Sequence, residues 1–253
     1  AARHRAVAGH LAGLDDHDVL ELLDAATPGG PGIGGVTATF DVAGARVFAK
    51  SVPLTDRERE PGTVRATANL FGLPTFYQYG IGSAGFGTWR EIAVHEHTTR
   101  WALDGAFDGF PVVHHWRVVP RRPEPMPARE REFWLSRWGG SPAVRARLAA
   151  IDEASAAVVI VMEHVPLTLD AWLAARVAEG PRAAAAALSL VEDGLRAATR
   201  FLAAHGMVHF DAHFGNILTD GHRLYLADFG LALAADFTLT DDERAFLDRH
   251  RDY

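Results

Sequence analysis

Residues 205–233 read HGMVHFDAHFGNILTDGHRLYLADFGLAL, and the rest of the chain is interpreted outward from them. Asp211 is followed five positions later by Asn216, and Asp228 opens an Asp-Phe-Gly triplet. Short apolar runs surround these residues: Met207-Val208, Ile217-Leu218 and Leu224-Tyr225-Leu226-Ala227. Each run is too short for a helix and is bounded by Gly, Asp or Asn. That predicts two small strands, with one loop before the first and another after the second. A carboxylate, an amide and a second carboxylate then converge at loop ends. Hard oxygen donors of this kind suit Mg²⁺, which keeps waters and phosphate oxygens for its remaining positions, and the first carboxylate is left to orient an acceptor hydroxyl. The competing reading is purely structural, because loop Asp and Asn side chains commonly cap turns.

Composition narrows the classes. With 253 residues, 48% of them apolar, the chain can bury a sizeable core as one two-lobed domain or two small ones. A net charge of −7 argues against a general nucleic-acid or anionic-membrane binder, so neither partner is expected. Without cysteine, disulfides and thiolate chemistry are excluded and nothing points to secretion. No apolar run approaches the roughly 18–20 residues that span a bilayer. The opening AARHRAVAGH has no signal-peptide core, which makes a cytoplasmic location the expectation. The chain starts with Ala and reads as a processed or trimmed one. Of its 25 basic residues, 24 are Arg and one is Lys50. Where Arg serves every generic positive charge, a lone Lys asks for a reason, and a compact ammonium aimed at phosphate oxygens is one.

Residues 1–27 read as a helical lead-in, with Asp16 or Asp18 as the cap and Val19, Leu22 and Leu23 on one face. The stretch 29–36 is dense in glycine, and Gly30, Gly32 and Gly35 match G-x-G-x-x-G. It precedes two alternating segments joined at Ala43-Gly44, a hairpin context rather than the strand-to-helix context of dinucleotide-binding folds. Glycine lets backbone N–H groups close on phosphates, although a plain flexible turn has the same composition. Phe48 shares a strand face with Lys50. In 51–88, LTDRERE reads as a solvated charge run. FGLPTFYQYGIGSAGFG is expected to form an extra hairpin, as surface decoration ahead of a position over the nucleotide site. Residues 89–103 read as a helix, 111–119 as a strand, and 120–132 as a proline-rich loop. A broken and then a regular helix follow, whose arginines are read as a solvated face ahead of a substrate-docking role. Ala157 to Glu163 is a buried strand by its β-branched run. A short helix ends at Gly180-Pro181. A long one follows with Leu188, Val191, Leu195, Ala198 and Leu202 as its stripe, closed by Gly206.

His209-Phe210-Asp211 through Asn216, followed by Asp228-Phe229-Gly230, resembles the HRDxxxxN and DFG motifs of the protein-kinase superfamily. Gly30, Gly32 and Gly35 resemble its nucleotide-covering loop. Lys50 stands where its strand lysine stands, and Arg90-Glu91-Ile92 resembles the helix that carries the lysine's partner. Glu91 is the expected partner, with Glu96 in reserve. Met162 and Glu163-His164-Val165 resemble the residue guarding the pocket and the hinge, so backbone groups of Glu163 and Val165 are expected at the adenine edge. Phe48 takes the place of a usual Ala and either stacks on adenine or crowds the pocket. The resemblance implies an α+β, bilobal, protein-kinase-like fold. Its parts are a helical extension at 1–27, a first lobe at 28–165 with inserts at about 51–88 and 120–155, and a shortened, mainly helical second lobe at 166–253. It implies ATP and Mg²⁺ as cofactors, with the metal on Asn216 and Asp228. Asp211 would orient the acceptor, Lys50 and Glu91 would grip the phosphates, and the γ-phosphoryl group would move to a hydroxyl. Ser or Thr of a protein is the first expectation for that hydroxyl, a small antibiotic or metabolite the alternative, and a nucleotide-binding pseudokinase the second. Three departures stand out. Phe210 replaces the usual Arg, His213 replaces a usual Lys, and only 23 residues follow Gly230, without an Ala-Pro-Glu triplet.

Overall fold

The computed structural model of the chain describes residues 2–32 and 35–251. Two helices open it, α1 (Ala2–Ala12) and α2 (Asp16–Asp24), then strands β1 (Thr27–Gly32), β2 (Gly35–Val42) and β3 (Ala45–Leu54). A one-turn helix α3 (Asp56–Arg59) and a 3₁₀ turn (Thr75–Tyr79) lead to α4 (Thr88–Asp104) and β4 (Val113–Val119). Next come α5 (Ala128–Arg137), α6 (Pro142–Asp152) and β5 (Ala156–Glu163). The remainder is β6 (Leu167–Thr168), α7 (Leu169–Ala178), α8 (Pro181–Ala204), β7 (Met207–Val208), β8 (Ile217–Thr219), β9 (Leu224–Leu226), β10 (Leu233–Ala234) and α9 (Asp241–Arg251).

The class is α+β, built on a five-stranded antiparallel sheet of order β1-β2-β3-β5-β4. β3 and β5 are central, and β5 is buried at every residue from Ala156 to Met162. The physical reason is that both sheet faces are covered. On one face, Val7 and Leu11 of α1 and Val19 of α2 pack on Val47, Ala49, Val159 and Val161. On the other, Trp89 and Ile92 of α4 pack on Val52, Leu54, Ile160 and Met162. Alternation along β3 therefore sends Val47 and Ala49 toward α1 and α2, while Phe48, Lys50 and Val52 share the face toward α4.

Several expectations are corrected. The α2 cap is Asp15, in a reciprocal box with Asp18, not Asp16 or Asp18. Residues 71–87 form no hairpin but a 3₁₀ turn and an irregular strap. LTDRERE is not wholly solvated, for Glu58 is buried against Arg147 (Nη1 to Oε2 2.8 Å) and accepts the Thr88 N–H at the start of α4 (2.6 Å). Leu188 is 58% exposed, and the buried side of α8 is instead Ala187, Val191, Ala198 and Leu202. Between 205 and 233, β8 and β9 form the hairpin, whereas Met207-Val208 pairs with β10 beyond Gly230. The two stretches read as separate inserts share one core, Leu73, Tyr77 and Phe86 with Leu135, Val144 and Leu148. No described helix is long and apolar enough to cross a membrane.

A second buried ion pair ties α4 to α9: Arg90 Nη2 meets Glu243 Oε1 at 2.8 Å, both side chains almost wholly enclosed. Removing one partner strands a buried charge. Arg90→Met is expected to cost about 3–5 kcal/mol of stability in urea unfolding, while the double variant Arg90→Met/Glu243→Leu recovers most of it. Equal loss in both variants would show that the charge pairing is not the cause.

Candidate active site

β3 and α4 face each other across the sheet surface, which brings Lys50 against Glu91, the fourth residue of α4. Lys50 Nζ donates to Glu91 Oε1 at 2.8 Å and to Asp228 Oδ1 at 2.8 Å. Glu96, the reserve partner, lies instead on the surface with Arg65 Nη2 at 2.7 Å. Burial opposes the charge on Lys50, but the Asp228 and Glu91 carboxylates outweigh it and hold its pKa above the ordinary value. For Asp228, burial works upward and the Lys50 ammonium, with the Gly230 N–H, brings the carboxyl down to about 2. Its side chain is still 42% exposed, so the carboxylate is both paired and reachable.

Asp211 and Asn216 come from the loop between β7 and β8. Asn216 Nδ2 donates to the Asp211 carbonyl and to Asp211 Oδ2, both at 3.0 Å. That spends the amide nitrogen and leaves the amide oxygen as the group available to a ligand. Burial pushes the Asp211 carboxyl up. His213 and Asn216 act the other way, and the Asp228 charge adds to the rise. His209 sets the loop: its Nδ1 accepts the Asp211 N–H at 3.2 Å and its Nε2 donates to the Ala227 carbonyl at 3.0 Å. Those two bonds require the neutral ring, and burial lowers its pKa to about 4 despite the Ala227 carbonyl. Phe229 is fully buried between the rings of His209 (4.9 Å) and His95 (5.3 Å). His95 is thus a core residue, and His97 pairs with Asp236.

The polar side chains meet in one cleft of about 450 Å³, with the His209, His95 and Phe229 rings behind it. Lys50, Glu91, Asp211, Asn216 and Asp228 all reach it, with Gly35 and Thr37 from β2. Gly30 and Gly32 lie on β1, where Gly32 pairs with Gly35, and residues 33–34 fall outside the described residues. Phe48 and Met162 oppose each other across the β3–β5 ladder and pack with Trp89 and Ile92, away from this cleft. Glu163 and Val165 do not line it either, and the Glu163 N–H already donates to the Val112 carbonyl at 2.8 Å.

Two contributors were missed. Residues 80–87 form a wall of the cleft, so the segment read as decoration borders the site. Arg147 of α6, read as part of a solvated face, is buried and also lines it. The first had a signal: Gly80, Gly82 and Gly85 repeat G-x-G-x-x-G directly before a helix. Arg147 had none, because nothing local distinguishes it from its neighbours Arg145 and Arg137. No family model matches the chain, and no curated protein matches it either.

The lowered pKa of His209 sets an acid limit. The unfolded imidazole titrates near 6.5 and the folded one near 4, so the unfolded state takes up the proton first and stability falls as pH drops between those values. Asp228 adds a second loss at lower pH, present above the unfolded value of about 3.9 and lost as pH falls toward 2. The urea midpoint of the wild type is expected to drop clearly from pH 7 to pH 5. His209→Gln should shrink that drop without abolishing it, since burial also lowers His114. A wild-type midpoint that does not move between pH 7 and pH 5 would refute this account.

Proposed function

We propose that the chain is an ATP-dependent phosphotransferase of bilobal, protein-kinase-like architecture, moving the γ-phosphoryl group of Mg·ATP to a hydroxyl. The observation that carries this reading is the buried ammonium of Lys50, held between Glu91 and Asp228 in the same cleft as Asp211 and Asn216. A cation fixed by one enclosed carboxylate and one reachable carboxylate is suited to a polyanion that arrives with a metal.

The donor set fits Mg²⁺. Asp228 offers a carboxylate and Asn216 an amide oxygen, both hard, both on the cleft. These two residues would hold the ion, which when bound neutralises phosphate oxygens. Lys50 grips the phosphates, and Glu91 keeps it from following Asp228 away from them. Asp211 accepts the proton of the acceptor hydroxyl as that oxygen bonds to the γ-phosphorus. The bond from phosphorus to the leaving ADP oxygen breaks, and ADP departs with the electron pair. A carboxyl raised by burial is better matched to taking up that proton. Gly35 closes the phosphate end, and Gly30 and Gly32 belong to the same glycine run. Phe48 and Met162, the expected neighbours of a purine, stand outside the cleft that holds these groups.

Positioning and charge neutralisation supply most of the rate in this chemistry. Asp211→Asn should lower transfer from γ-labelled ATP by about a thousandfold or more with ATP affinity nearly unchanged, while Lys50→Met should weaken both. Transfer by Asp211→Asn within a few-fold of wild type would exclude Asp211 as the base and sink the reading.

A further inference from the structure

The strap formed by residues 80–87 stands where an acceptor would have to approach Asp211. Gly80 has φ +87°, and a Cβ there would lie 3.0 Å from Asp211 Oδ1. Gly85 has φ +70°, and its Cβ would lie 2.7 Å from the Gly230 carbonyl. Only glycine brings backbone this close in this conformation. The strap is also anchored, through the turn that precedes it and from behind. Gln78 Nε2 donates to the Leu231 carbonyl at 2.6 Å in a buried bond. Tyr79 sets its ring edge against Phe210 and Phe246. Behind the strap, Trp138 Nε1 donates to the Gly82 carbonyl at 3.2 Å, and the Trp134 ring leaves no room for a Cβ on Gly82. Trp134 and Trp138 lie in and just after α5, and the shared core of the two inserts stands behind them.

We propose that the hydroxyl phosphorylated at Asp211 belongs to a small, free, polar alcohol that enters the cleft, and not to a Ser or Thr within a polypeptide. This rests on the phosphotransferase reading above and names its substrate class. An extended peptide advances about 3.3 Å per residue and needs open surface on both sides of the reacting side chain. Here one side of Asp211 is bordered by Gly80, so closely that a Cβ there would meet the carboxylate, and the whole cleft measures about 450 Å³, which the phosphates must share. The wall offers groups that hydrogen-bond hydroxyls: strap backbone, Ser83, His213 and Arg147. The resemblance to protein kinases, taken by itself, favours a protein acceptor, and the strap is what turns the assignment.

The test uses the full chain with Mg²⁺, γ-labelled ATP and a host extract split by ultrafiltration into a low-mass filtrate and a desalted protein fraction, each run beside Asp211→Asn. The expected result is Asp211-dependent label on a filtrate compound and none on protein. Asp211-dependent label on protein would overturn the acceptor assignment and leave phosphotransfer standing. No Asp211-dependent label in either fraction would overturn both. Ile81→Trp gives a second readout, because Ile81 is 71% exposed at the cleft and its replacement leaves the core untouched. It should raise the apparent KM for the filtrate acceptor several-fold with the KM for ATP unchanged. An unchanged acceptor KM would remove the strap from the acceptor path and overturn the proposal.

Discussion

The burial of one ammonium group governs this structure. An unpaired Lys at the position of Lys50 would give up its charge or its place, because a desolvated cation is costly without compensation. Two carboxylates at 2.8 Å supply that compensation, and they come from elements far apart in the chain, α4 and the loop after β9. The same contact therefore fixes the rotation of α4 on the sheet and draws the Asp-Phe-Gly turn up to β3. Everything in the cleft is positioned relative to it. Ion pairs of this kind add little net stability compared with apolar packing, so their value lies in geometry: a charge held ready at low dielectric without further reorganisation.

Backbone strain is also found beside the same groups. Phe210 and Asp228 both adopt left-handed φ values, +63° and +59°. Asp tolerates this region, whereas an aromatic residue does so only when its surroundings insist. For Phe210 those surroundings are the rings of Tyr79, Phe246 and His250, which clamp its side chain. The neutral imidazole of His209 then bonds the next N–H. The turn that presents Asp211 is thus maintained by packing from the 3₁₀ turn and from α9, not by the loop's own preferences.

What could be read from the sequence depended on whether the signal was local. Strand alternation around Lys50 correctly placed Phe48 and Lys50 on one face, and the β-branched run within 157–163 correctly marked a buried strand. The spacing of Asp211, Asn216 and Asp228 placed three polar groups that do meet. Glu91 could be preferred over Glu96 but not distinguished from it by spacing, because the choice depends on how α4 is turned on the sheet. The strap had only its glycine spacing as a signal, and Arg147 had none. Glycine and arginine look alike in a solvent loop and against a cleft, and only the packing of 71–86 on 135–148 decides between the two. Leu188 shows the limit of periodicity: a position one step away from Ala187 falls outside the stripe that α7 and the β8–β9 hairpin cover.

That shared core of Leu73, Tyr77, Phe86, Leu135, Val144 and Leu148 has a consequence for how such a chain can change over time. Neither stretch buries its apolar side chains alone, so shortening either one uncovers the other. The Glu58–Arg147 pair strengthens the dependence, since each residue would leave its partner charged and enclosed. The two segments, separated in sequence by α4 and β4, are therefore a single heritable unit. Length variation in one is tolerable only when matched in the other, and a chimaera that transplants one of them must transplant both.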